Sequence, residues 1–213
     1  MPQRHYTIEE EIGNTTTHTL GALICAFLFG IFAHMTYAGS DSILKNIACY
    51  IFGLSSMFVF IASSLYHAVT NQSIKTILKK YDHIAIYYLI AGTYIPLATN
   101  LIIPTNPIIG WLFIALQISA VIFGTFYKLF ATNKYGYASV IIYCLIGWSI
   151  LPLLGIIGKN ISTEALQLLI GGGAFYMLGV PFYILKQYRW THTIWHIFVV
   201  LGIICHYLMM FRI

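Results

Sequence analysis

Charged side chains are scarce in this sequence: they occupy 8% of its 213 positions, where a soluble domain carries about a quarter. A surface solvated on all sides cannot be built from so few, which excludes an ordinary soluble globule. Cysteine is sparse as well. Cys25, Cys49, Cys144 and Cys205 form no CxxC motif and fall within apolar stretches, which excludes a thiolate metal knuckle and leaves them as small packing residues. A basic region before the first apolar run is missing, and Glu9, Glu10 and Glu11 stand there instead, so no cleaved secretory signal is expected. Internal repeats and low-complexity tracts are absent, which weighs against an inverted-repeat transporter. The formal charge of +5 does not make a nucleic-acid face, because the basic residues are dispersed between apolar runs.

What is abundant is apolar: 59% of the residues are hydrophobic and 16% aromatic. One crossing of a bilayer takes about 20 apolar residues, and such runs cover 19–37, 43–66, 81–103, 108–129, 137–157, 165–185 and 192–211. The expected fold is an all-α integral membrane protein, a seven-transmembrane-helix bundle over 19–213 preceded by a cytoplasmic N-terminal segment over 1–18. Breakers at 39–41, 104–107, 133–136 and 158–160 separate the runs. Pro96, Pro152 and Pro181 lie inside them and predict kinks. Orientation follows from lysine and arginine. Arg4, Lys75, Lys79, Lys80, Lys128, Lys134, Lys186 and Arg189 fall on the N-terminal side, against Lys45, Lys159 and Arg212 on the other. The N-terminus is therefore expected in the cytoplasm and the C-terminus outside, in a multi-pass protein of the inner (plasma) membrane.

The chemistry-bearing residues collect at one depth. His192 and His196 stand four apart at the start of the seventh run. On a helix rising ~1.5 Å per residue they share a face about 6 Å apart, a chelating spacing. The second run ends with Ser63 and His67 on one face, and the third begins at that same end with Asp82. His67, His192 and His196 would supply three nitrogens and leave a fourth tetrahedral position for water, the open arrangement of a catalytic zinc site. Asp82 is then expected to hydrogen-bond that water, with Ser63 as a further polar contact. The plainer reading of the same residues is a polar network that joins helices. Glu10, Asn14 and His18 recur at intervals of four, as a solvated acidic cap or as a lid or clamp bonded into the site. The other histidines are not expected to reach it. His34 and His206 lie toward the opposite end, His83 points about 100° away from Asp82 round its helix, and His5 is solvated.

In Glu10-x3-Asn14-x3-His18, in Ser63-x3-His67 followed by Asp82, and in His192-x3-His196, the sequence resembles the hemolysin III family, the bacterial branch of the progestin and adipoQ receptor superfamily. The resemblance extends over nearly the whole chain. It implies a seven-helix bundle with a cytoplasm-side zinc held by His67, His192 and His196, and with Asp82 joined to the metal through water. It also implies kinship with the alkaline ceramidases, which are membrane-embedded lipid amide hydrolases. Two functions follow as expectations. In the first, the protein is a zinc-dependent hydrolase of a lipid amide or ester in membrane lipid homeostasis. Zn2+ would lower the pKa of its water, Asp82 would orient that water and carry its proton, and Ser63 would donate to the developing oxyanion. The substrate would be an acylated membrane lipid whose chains lie among the apolar spans. In the second, the zinc is structural and the bundle is a non-enzymatic lipid sensor, a receptor-like protein or a hemolysin-like protein. The open fourth position favours the first.

Overall fold

A computed structural model describes residues 5–39, 42–130 and 136–213. The breakers expected at 40–41 and 133–135 lie outside the described residues, as do Arg4 and Lys134. Among those described there is no strand, and seven helical stretches are long and apolar enough to cross a membrane.

The first helix starts well before the apolar run. Helix α1 covers Ile8–Gly39, 32 residues, or about 48 Å at the α-helical rise, against ~30 Å of bilayer hydrocarbon. Thr7 and Glu10 explain the early start, because they form a reciprocal capping box. The Thr7 N–H donates to Glu10 Oε2 at 3.0 Å, and the Glu10 N–H donates to Thr7 Oγ1 at 3.4 Å. Glu9, Glu10 and Glu11 in that first turn also suit the positive end of the helix dipole. Residues 8–18 are thus the opening turns of the first span and put Glu10, Asn14 and His18 on a rigid rod.

Helix α2 (Ile43–Ala68) is capped by Ser42, and α3 (Gln72–Leu97) by Asn71, whose side chain accepts from the N–H groups of Ser73 and Ile74. Only 69–71 lie between α2 and α3, so the two must pack antiparallel as neighbours. Pro96 lacks the N–H that the helix needs, and the chain answers with a π-helical turn over Ala98–Ile102. Its widened ladder is visible in the Ile103 N–H bonded to the Ala98 carbonyl at 2.8 Å. Helix α4 (Pro107–Phe130) and α5 (Gly136–Gly147) follow. Pro152 falls in a 3₁₀ stretch, Trp148–Leu153, before the short α6 (Leu154–Ile157). Helix α7 (Thr163–Ile184), with Pro181 in its last turn, and α8 (Thr191–Met210) complete the chain.

Helix α1 packs against α2 and α8, α2 against α3, α3 against α4, and α7 against α8, while α5 touches α3 and α7 only lightly. The core runs along the α2, α3 and α8 seam, where Phe52, Phe60, Leu97, Ile102, Ile203 and Tyr207 are fully buried. Helices in lipid approach through small residues. At Gly92 a Cβ would come within 2.0 Å of Ser55 Oγ, so α2 and α3 could not meet there with any side chain. The outward faces are apolar: Ile108, Leu112, Ile122, Phe123 and Phe126 of α4 are exposed, as suits contact with lipid.

Candidate metal centre

One end of the bundle is assembled by α1, α2 and α8. Helix α2 brings His67 in its last turn. Helix α8 begins after Trp190, whose φ of 64° is the one left-handed non-glycine conformation among the described residues. Such a backbone costs about 1 to 3 kcal/mol and persists only where surrounding contacts hold it. Here the Trp190 N–H donates to Glu10 Oε1 at 3.0 Å. Thr193 adds a second tie, its hydroxyl donating to Asn14 Oδ1 at 2.6 Å. The opening turns of α1 thereby fix the height of His192 and His196 against His67.

All three histidines are buried, and their ligand-capable atoms lie within 4.8 Å of one another. His192 Nε2 is 3.2 Å from His67 Nε2 and 3.2 Å from His196 Nε2. Nitrogens bound to a tetrahedral zinc at ~2.0 to 2.1 Å stand about 3.3 Å apart, a spacing that two of the three pairs already have. The outer ring nitrogens settle two of the tautomers. His67 Nδ1 lies 2.6 Å from Glu11 Oε2. An ionised carboxylate only accepts, so Nδ1 carries the proton and the Nε2 lone pair faces the centre. His196 Nδ1 lies 3.2 Å from the Asn14 carbonyl oxygen and is fixed the same way. One proton on His192 Nε2 can satisfy only one of the two lone pairs that face it, whereas a cation satisfies both. These residues could hold a metal ion. Among the described residues the cluster contains no carboxylate and no thiolate.

Aromatic rings wall the cluster. Tyr6 stacks on His192 with centroids 5.1 Å apart and planes at 18°, and Tyr66 lies 4.5 Å from His67. Burial pushes the Tyr6 phenol well above its usual pKa, so it stays neutral and able to donate. His18 stacks on His196 at 3.5 Å with 15° between planes, and both its nitrogens are buried without a hydrogen bond. Lys75 Nζ meets Glu11 Oε1 at 2.8 Å, which keeps the carboxylate behind His67 ionised and oriented.

Of the residues singled out from the sequence, His67, His192 and His196 converge, and Asn14 joins them through its backbone carbonyl, which accepts from His196 Nδ1, and through Oδ1, which accepts from Thr193. His18 touches them by stacking and lies outside the ligand set. Glu10 faces the start of α8. Asp82 lies beside Ser63, whose hydroxyl is buried, and near His67, but outside the three-histidine ligand set. His5 and His34 are exposed. Several residues of the site escaped the sequence reading, Glu11 and Tyr6 among them. The signal for Glu11 was present, since 11, 14 and 18 alternate by three and four, the true spacing of a helical face.

Similarity to known proteins extends over most of the chain. A family model described as "Haemolysin-III related" matches residues 6–207. The chain is 34% identical to "Hemolysin-3 homolog" of Bacillus subtilis (strain 168) over 199 residues, covering 92% of this chain and 91% of that protein. It is 31% identical to "Hemolysin-3" of Bacillus cereus over 196 residues, 92% of this chain and 87% of that protein. It is also 30% identical to "Monocyte to macrophage differentiation factor" of Homo sapiens over 208 residues, 94% and 83% of the two chains.

Proposed function

The chain belongs to the haemolysin-III family of multi-pass membrane proteins, and on that premise we propose that it is a zinc-dependent hydrolase of a lipid amide or ester in the plasma membrane. The observation that carries the reading is the inward convergence of three Nε2 atoms, two of them with their outer nitrogens held by Glu11 and by the Asn14 carbonyl. A zinc ion at that point would supply Lewis acidity to a carbonyl and lower the pKa of a water. The chain's own groups do the rest. Glu11 and Asn14 keep the imidazole lone pairs aimed at the centre, which preserves ligand basicity. The Asp82 carboxylate, in range of His67 and Ser63, is the base that takes the proton of the attacking water. The Ser63 hydroxyl, buried beside the Asp82 carboxylate, would donate to charge that develops on the carbonyl oxygen. Glu10 and His18 clamp α1 over the site. The three histidines are assigned to the cytoplasmic side; a reporter after Ile213 should then lie outside the cell and one in the 69–71 connection inside.

One observation favours a non-enzymatic reading, in which the zinc is structural in a lipid sensor, a receptor-like protein or a hemolysin-like protein: Tyr6 stacks over His192 and covers the cluster from the N-terminal side. Assay of the purified protein against a panel of lipid amides and esters, with and without chelator, separates the two. Chelator-sensitive release of fatty acid, restored by zinc, is the expected result. Bound zinc with no turnover on any member of the panel would move the assignment to the structural reading.

A further inference from the structure

The three imidazoles of the metal centre are not held alike from behind. His67 Nδ1 meets a carboxylate, Glu11 Oε2, at 2.6 Å. His192 Nδ1 is buried with no hydrogen bond. His196 Nδ1 has two oxygens in reach, the Asn14 carbonyl at 3.2 Å and the Thr17 hydroxyl at 3.3 Å. The carbonyl belongs to the main chain and comes with the helix whatever residue stands at 14, whereas the hydroxyl is there only because position 17 is threonine. Thr17 is half-buried and lies outside the ligand set.

A threonine inside a helix commonly turns its hydroxyl back on the preceding turn, and that local bond would account for Thr17 if nothing lay beyond it. The hydroxyl does stand 2.9 Å from the Gly13 carbonyl and 3.0 Å from that of Asn14. Its single proton goes to one of those carbonyls, so what the oxygen turns to His196 is a lone pair. Two acceptors side by side select one form of the ring. The proton sits on His196 Nδ1, and the Nε2 lone pair then faces His192 at 3.2 Å. The reverse tautomer would set a ring lone pair against those of the Asn14 carbonyl. Close packing keeps the contact in register, because at Gly13, one turn before Thr17, a Cβ would stand 3.1 Å from the Trp190 ring and 3.4 Å from Thr193. His18, the next residue, stacks on the same imidazole with centroids 3.5 Å apart. Successive residues of α1 thus take His196 by its edge and by its face.

We propose that Thr17 is a positioning residue of the metal centre, whose hydroxyl accepts from His196 Nδ1–H and keeps Nε2 aimed at the ion as Glu11 does for His67. This deepens the zinc-centre reading and rests on it, but metal binding can be read without turnover. Thr17→Val removes the acceptor and keeps the branched shape, whereas Thr17→Ser keeps the hydroxyl and drops the methyl. Zinc affinity of the detergent-purified full chain is measured by competition with a chelating dye, and the visible absorption of the Co2+-loaded protein reports the ligand geometry. Thr17→Val should weaken zinc by about tenfold, the lower end of what loss of a group behind a ligand costs, and should shift the cobalt bands. Thr17→Ser should stay within about threefold of the wild type with the same spectrum. Where gel filtration shows that the valine variant does not fold, Thr17→Ala takes its place, since alanine removes the hydroxyl and favours the helix. Wild-type affinity and spectrum in the variant that lacks the hydroxyl would overturn the proposal. So would a serine variant as impaired as the valine one, which would assign the effect to the methyl, or a wild type that takes up no metal. Zinc binding that depends on the Thr17 hydroxyl, without hydrolysis of any lipid ester or amide, would contradict the hydrolase reading and leave the role of Thr17 standing.

Discussion

His196 and His206 lie on the same helix and are both buried, yet they have opposite surroundings. His196 has its Nδ1 bonded to the Asn14 carbonyl and its Nε2 facing His192. His206 stands among apolar helices with its Nε2 donating weakly to the Leu169 carbonyl at 3.4 Å, its Nδ1 unbonded, and Tyr176 edge-on at 5.4 Å. In the first case the tautomer sends a lone pair toward two other imidazoles. In the second, Nε2 is spent as a donor, and among the described residues no other ligand group converges with the ring to hold a metal. Burial of a histidine in a membrane helix therefore does not make a site; convergence together with a partner behind each ring does.

The largest effect expected from that contrast is on catalysis. His196→Ala should abolish lipid hydrolysis, whereas His206→Ala should leave the rate within a few-fold and cost only stability, about 1 to 3 kcal/mol for a vacated buried ring. Steady-state assays with parallel thermal unfolding test the pair, and equal losses of activity would erase the distinction. Next comes the partner behind the ligand. Glu11→Gln removes the carboxylate that orients His67 and should weaken zinc by about 10 to 100-fold. Glu10→Gln, one residue away, should leave zinc affinity intact and lower the melting temperature, because its bond is to the Trp190 N–H. Competition with a chelating dye measures both. If the two variants exchanged behaviour, the assignment of Glu11 to the side of α1 that faces His67 would be wrong.

Much of this end of the molecule is legible in the sequence. His67, His192 and His196 are recoverable because helix direction alternates from span to span, so depth can be counted from the loops. The start of α1 was not, because apolar runs mark where lipid begins and not where a helix does; the Thr7–Glu10 capping box was the readable sign. Glu11 was hidden for a different reason. Both 10/14/18 and 11/14/18 are helical stripes, and the one that faces His67 depends on how α1 is rotated against α2, which packing decides. Trp190 was unreadable, since a left-handed tryptophan has no local signature and exists only because Glu10 holds its N–H. His83 lies outside the three-histidine ligand set, and the tyrosines it meets, Tyr143 and Tyr183, come from α5 and α7 and are invisible along the chain.

A smaller effect belongs to the stacked ring. His18→Ala should retain zinc and lose a little stability. Combined with Asn14→Ala it should be non-additive, because the Asn14 side chain accepts from Thr193 and so seats the same opening turns of α8 that carry the His196 ring on which His18 stacks. A double-variant cycle of unfolding free energies reads the coupling. Strict additivity would mean that His18 fills space and does not belong to the network.

The most direct test of the central claim is the metal content of the purified protein by inductively coupled plasma mass spectrometry. About one zinc per chain is predicted for the wild type and for His206→Ala, and close to none for His192→Ala combined with His196→Ala. Full zinc in that double variant would contradict the assignment of the site.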